Sequence, residues 1–145
     1  MEPTDQQILA LLSRDGRMSF TELGRQVGLS TSATQQRVRR LEQRGIITGY
    51  RADIDPAEVG RALSAFIQIK PLASGFDRDA SQYLATLPQI TSCYSVAGDA
   101  SYLCLAQVGS AEELDELLAR IRRELSVNTV TTIVLRTAFK HRPLV

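Results

Sequence analysis

The stretch LSTSATQQRVRRLEQRG, residues 29–45, carries four arginines and three glutamines in a run whose apolar positions recur at helical spacing. At 3.6 residues per turn, Ala33, Thr34, Val38 and Leu41 share one arc, which predicts the packed face. Ser32, Gln35, Gln36, Arg39, Arg40 and Gln43 fill the opposite arc, and Arg37 sits at the inner edge. A solvated face held by pairs one turn apart fits poorly, because Glu42 is the one acid against four arginines in residues 30–44. Arginines so crowded repel one another unless a polyanion neutralises them. Arginine bonds guanine edges in two places and glutamine does the same for adenine. Hydroxyls at a helix start add phosphate contacts beside free amide donors. Double-stranded DNA is therefore the expected partner. Ser32, Gln35, Gln36 and Arg39 are expected at base edges, and Arg37, Arg40 and Arg51 at phosphates.

Working outward, Gly28 ends a preceding helix cheaply in the left-handed conformation, and Ser30 is the expected N-cap of the arginine-rich helix. Ser19 and Glu22 have capping-box spacing, with Phe20, Leu23 and Val27 facing inward. Thr4 and Gln7 repeat that spacing at the start of a first helix, which Asp15-Gly16 stops. A helix, a sharp turn and a second helix behind a supporting first one make a helix-turn-helix. Ile46-Ile47 and Tyr50–Ile54 look extended about Gly49 and predict a small β-ribbon or wing. Asp55-Pro56 restricts the chain and marks a boundary. The expected division is a DNA-binding domain over 1–53, a linker over 54–60 and a second domain over 61–145.

The second domain is predicted as strand, helix, strand, strand, helix, strand. Its strands are LSAFIQI (63–69), ITSCYSV (90–96), YLCLAQV (102–108) and TVTTIVLRT (129–137). Its helices are roughly 78–87 and 111–125, the latter with Leu114, Leu117, Leu118, Ile121 and Leu125 in one stripe. This order predicts an α+β, ferredoxin-like sheet with both helices on one face. A sheet covered on one side should alternate. Yet YLCLAQV puts Leu103 and Leu105 on the side opposite Tyr102, Cys104, Ala106 and Val108, and LSAFIQI adds Phe66. A second copy of the chain, giving a two-fold dimer, is the expected cover. The alternative is the N-terminal domain of the same chain.

The totals agree with two modules of different character. The net charge of the 145 residues is +1, but residues 1–51 hold eight arginines against five acids, and the rest holds nine bases against eleven acids. A basic front and an acidic back imply different partners. Cys93 and Cys104 lack metal-ligand spacing and are expected as small buried hydrophobes. The polar MEPTDQQ start does not resemble a secretory leader, and no apolar run approaches a bilayer span. A cytoplasmic protein without membrane contact is expected.

Along nearly its whole length the chain resembles the Lrp/AsnC family of bacterial and archaeal transcription regulators. The resemblance rests on DGRMS (15–19), LSTSATQQRVRRLEQRGII (29–47), DPAEVG (55–60) and CYSVAGD (93–99). It implies a C-terminal module that senses an effector, usually an amino acid, and that dimerises, with dimers building tetramers or octamers. It implies an effector site at the turn after the second strand, at a dimer–dimer contact: Gly98, Asp99, Ala100, Ser101 and Tyr102, with Thr129 and Thr132 from the last strand. Where the family often has Gly-Asp-Tyr-Asp, this chain has Gly98-Asp99-Ala100-Ser101, so one charged partner for an ammonium is missing. An architectural or constitutive DNA-binding protein without a small-molecule effector is the alternative. Siroheme decarboxylases look similar and use histidines. This chain has a single histidine, His141, and no nucleophile-elbow, P-loop or zincin motif. No enzymatic activity, metal or cofactor is expected.

Overall fold

A computed structural model of the chain describes residues 1–72 and 80–145. These form two compact units, one of residues 1–53 with 138–145 and one of residues 54–137. The sequence reading assigned the last eight residues to the second domain; here they group with the helices.

The first unit is built from α1 (Pro3–Arg14), α2 (Phe20–Val27) and α3 (Thr31–Gln43). Two of its predicted starts hold. Ser19 Oγ accepts the amide of Glu22, and Ser30 Oγ accepts that of Ala33. Gly28 closes α2 at φ 74°. The predicted Thr4 box is corrected: Glu2 occupies the N-cap without a side-chain bond and Pro3 opens the helix. Proline suits a first helical position, where its fixed φ is helical and its missing N–H is no loss. Thr4 is therefore already inside the first turn. The predicted ribbon is corrected too. No strand forms between residues 44 and 62. The amides of Ile46 and Ile47 both donate to Leu41 O, and both side chains pack on the small core of Ile8, Leu23, Val38 and Leu41.

Gly24 sets the distance between α2 and α3. A Cβ there would lie 2.7 Å from Leu29 O and 2.7 Å from Thr34 Oγ1. Thr34 is fully buried, and its hydroxyl donates to Ser30 O at 2.8 Å. A glycine on one helix and a self-satisfied threonine on the other let the backbones touch.

The second unit is an antiparallel sheet in the order β2-β3-β1-β4, made of β1 (Leu63–Pro71), β2 (Ile90–Ser95), β3 (Tyr102–Val108) and β4 (Val127–Ile133). With α4 (Ala80–Leu84) and α5 (Ala111–Leu125) it has the predicted βαββαβ order. The first two residues of the predicted 78–87 helix lie outside the described residues, and α4 is shorter than expected. Leu114, Leu117, Ile121 and Leu125 are buried from α5, against Ala65, Ile67 and Ile69 of β1 and Cys104, Ala106 and Val108 of β3. β4 starts two residues before its predicted position, because Ser126 takes the left-handed conformation and turns the chain directly from helix into strand. It also ends at Ile133, so Val134–Thr137 is not strand.

Burial on β1 and β3 alternates as one covered face requires. On the face away from the helices, Phe66, Tyr94 and Val130 are 41%, 61% and 44% exposed, with Leu103 and Leu105 half-buried between them. One cysteine departs from expectation. Cys104 is buried, but Cys93, on the edge strand β2, is exposed.

Candidate nucleic-acid interface and ligand turn

The outer arc of α3 is displayed as the periodicity predicts. Ser32, Gln36, Arg39 and Arg40 are exposed and Gln35 is half-buried, while Thr34, Val38 and Leu41 are buried. Arg51, beyond the helix, is exposed. Among the described residues the side chains of Arg39, Arg40 and Arg51 enter no hydrogen bond or ion pair with protein groups. The N-terminus of α3 adds a row of hydroxyls: Thr31 Oγ1 lies 3.3 Å from Thr21 Oγ1 on α2, and Ser30 Oγ 3.4 Å from Ser32 Oγ. Thr21 escaped the sequence reading. Its signal was its place one residue inside α2, close to the turn that α3 leaves.

Arg37 does not belong to this surface. Its Nη1 donates to Glu2 Oε2 at 2.7 Å and to Asp5 Oδ1 at 2.9 Å. These bonds, Glu2 first, hold the guanidinium above its ordinary pKa. Asp5 is buried, and its carboxylate needs a charged partner there. The phosphate role expected of Arg37 is therefore corrected to a tie between α3 and α1. The count of one acid against four arginines failed because it looked only within the helix. Glu42 is also engaged, since it accepts the Tyr50 hydroxyl at 2.9 Å. Partial burial and that carboxylate push the Tyr50 pKa up to about 12.

The ligand turn lies at one end of the sheet. Val96 N donates to Ser101 O at 3.0 Å, and Ser101 N donates to Ile69 O at 2.8 Å, which pins the turn to both β2 and β1. Gly98 takes φ 125° within it, where a side chain would be strained. Asp99 is exposed, Ala100 buried and Ser101 half-buried. Ser95, Tyr102, Ile69 and Thr129 follow one another in register across the four strands, so Thr129 lies at the same sheet end as the turn. Thr132 does not. It pairs with Phe66 on the opposite face, and successive strand residues three apart cannot line one side. Sequence reasoning missed Arg122, whose Nη1 donates to Thr129 Oγ1 at 3.1 Å. It follows the buried Ile121 in a helix that turns straight into β4. His141, the residue weighed for catalysis, is exposed and faces Asp53 Oδ2 at 3.3 Å.

A helix-turn-helix offering unpaired arginines, joined to an α+β module with a structured turn at one sheet end, has the two-part plan of a transcription regulator. The chain belongs to the Lrp/AsnC family. Residues 1–42 match the AsnC-type helix-turn-helix domain and residues 64–144 the Lrp/AsnC ligand binding domain. It is 45% identical to the HTH-type transcriptional regulator LrpA of Mycobacterium tuberculosis over 142 residues, 98% of this chain and 95% of that protein. It is 35% identical to the leucine-responsive regulatory protein of Salmonella typhimurium over 144 residues, 97% of this chain and 87% of that one. The solved structure of a feast or famine regulatory protein from M. tuberculosis complexed with L-methionine superposes with a TM-score of 0.93, at 45% identity, covering 97% of this chain and 96% of that chain. Bacillus subtilis LrpC superposes with a TM-score of 0.86 at 29% identity, covering 96% of this chain and 97% of that chain. These relatives are regulators rather than enzymes. Among the described residues no helix is long and apolar enough to cross a membrane.

Proposed function

We propose that this regulator reads specific DNA sequences with the outer face of α3 and that a small effector, an amino acid, modulates its DNA binding and assembly. The observation that carries the DNA reading is the division of labour on α3: Arg37 is satisfied inside the protein, while Arg39 and Arg40 have no partner among the described residues. Ser32, Gln35, Gln36 and Arg39 take base edges; Arg40 and Arg51 take phosphates. The effector site is the turn Gly98–Tyr102 with Thr129. Support for an amino acid comes from the L-methionine complex of the similar M. tuberculosis protein. The apolar face around Phe66, Leu103, Leu105, Tyr94 and Val130 pairs with a second copy of the chain, since so much exposed apolar surface favours a partner. An effector acts on this assembly only by binding one form better than another.

A second reading, constitutive DNA binding, rests on one observation: Ala100 and Ser101 leave Asp99 as the turn's only carboxylate. Thermal shift against the twenty amino acids, followed by DNA titration with each responder, separates the two. A ligand at a hundred times its Kd stabilises the native state by about 2.7 kcal/mol. One or a few responders that also move DNA affinity support the sensor. A flat panel, with DNA binding intact, leaves the constitutive binder. In the same titration Arg39→Ala should cost about 1–3 kcal/mol and relax preference at one base position; equal loss on specific and random DNA contradicts base reading.

A further inference from the structure

Cys93 on β2 and Cys104 on β3 are direct cross-strand partners, and neither is in a disulfide. Their register fixes the kind of pair. Val96 N donates to Ser101 O, so Val96/Ser101 is a hydrogen-bonded pair. Hydrogen-bonded and non-hydrogen-bonded pairs alternate along an antiparallel ladder. Tyr94/Leu103 is then hydrogen-bonded, and Cys93/Cys104 is not. Residues in a non-hydrogen-bonded pair have Cα atoms about 4.5 Å apart, with side chains turned toward each other, inside the range of about 4.4–6.8 Å that a disulfide spans.

Access is unequal. Cys104 is fully buried against the helices, while Cys93 is exposed and borders an open groove of about 210 Å³ between α4 and β2, lined also by Leu84, Ala85 and Ile90. A small oxidant therefore meets Cys93 first, and Cys104 stands behind it.

We propose that Cys93 and Cys104 form a thiol pair that a peroxide oxidises to a cross-strand disulfide, clamping β2 to β3 two residues from the strand ends that carry the 96–101 turn. The Cys93 thiolate attacks one peroxide oxygen; the O–O bond breaks, hydroxide leaves and is protonated to water, and Cys93 becomes a sulfenic acid. Cys104 Sγ then attacks Cys93 Sγ. The S–S bond forms, the S–O bond breaks, and the hydroxyl departs as a second water with the Cys104 proton. Two thiols lose two electrons, and one peroxide becomes two waters. Burial, and the neighbouring Cys93, push the Cys104 pKa up to about 12, so Cys104 attacks as the thiol, in step with loss of its proton. That burial also suits it to resolve rather than to initiate.

The effect on effector binding rests on the reading of the turn as the effector site; the disulfide itself does not. The full chain, reduced and then treated with hydrogen peroxide, is unfolded, alkylated and mapped by mass spectrometry without reductant. Both cysteines should be lost to alkylation and recovered as one peptide pair, Cys93 joined to Cys104. Hydrogen exchange at the Val96 and Ser101 amides should slow in the oxidised protein. Peroxide-treated Cys93→Ser should leave Cys104 fully alkylated and exchange unchanged. Cys104 still alkylated in the wild type, or Cys93 joined to Cys93 of a second chain, overturns the proposal. The map decides the link whether or not any amino acid shifts the melting of the reduced protein, so failure of the sensor reading is seen separately.

Discussion

The helical unit and the sheet unit are held by different means. Among the described residues the sheet unit buries fourteen in one core, almost all aliphatic. The helical unit has four fully packed hydrophobic residues, ringed by partly buried ones. Four such residues leave little margin against the entropy of ordering three helices. That unit instead relies on contacts of another sort: two hydroxyl caps, a glycine–threonine approach of backbones, and the Arg37 tie to Glu2 and Asp5. The lesson is that one chain stabilises its broad sheet by apolar area and its small reading head by specific short contacts. The reading head thereby keeps its surface free for a polyanion.

The largest test falls on the sheet. Ile67 is fully buried at the centre of β1, between β3 and β4. Ile67→Ala should cost about 2–5 kcal/mol from lost burial and a residual cavity. Hydrogen exchange should rise in β1, β3 and β4 and stay unchanged in α1–α3. In the helical unit, Gly24→Ala sets two effects against each other. Helix propensity favours alanine by up to about 1 kcal/mol. The new methyl must displace Leu29 O, a backbone atom 2.7 Å away, and such overpacking costs about 1–3 kcal/mol. The collision wins, and exchange should rise in α2 and α3 with DNA affinity falling alongside. If either substitution loosens both units to the same extent, the contrast between them is wrong.

The same contrast governs what was legible in the sequence. Periodicity found α5 and the four strands because a large core imposes one pattern over many residues; the caps Ser19 and Ser30 and the left-handed Gly28 were readable because each is a local rule. What failed was not local. Arg37 was assigned to DNA because its partners, Glu2 and Asp5, are more than thirty residues away in sequence. Ile46 and Ile47 were taken for a ribbon because a β-branched pair looks the same whether it joins a strand or caps a helical core. The family resemblance brings Thr129 and Thr132 together, but their odd spacing on a strand puts them on opposite faces. Cys93 was assigned to the core because nothing in ITSCYSV marks β2 as an edge strand. Gly24, in mid-helix, was the unused clue to a close approach.

Arg37 and Arg40, three residues apart on α3, turn that correction into a measurement. Arg40→Ala should weaken binding to specific and random DNA alike and lower the slope of log affinity against log salt by about one, for one lost phosphate contact. Arg37→Ala should leave the salt slope unchanged. It should instead lower the thermal midpoint of the free protein, because it strands the buried Asp5 carboxylate. Fluorescence anisotropy across a salt series and a melt of each variant suffice. A reduced slope with an unchanged midpoint for Arg37→Ala would return that residue to the DNA surface.

The smallest effect tests whether exposed ion pairs add to the short contacts of the helical unit. Glu22 accepts from Arg25 at 2.7 and 2.9 Å and from Gln26 at 2.7 Å. The Arg25 bonds, then the Gln26 bond, lower its pKa from the ordinary 4.5 to about 2. A carboxylate whose folded pKa is depressed favours the folded state at every pH above its unfolded value, and this contribution fades as pH falls from about 4.5 towards 2. The pair is exposed, so water and salt screen it, and the caps should matter more. Glu22→Gln should therefore melt slightly below the wild type at neutral pH and converge with it on acidification. The two melting curves should also converge as salt is added. A difference that persists undiminished below pH 3 would mean that Glu22 contributes through packing rather than charge, and that the helical unit has no useful surface electrostatics to set beside its caps.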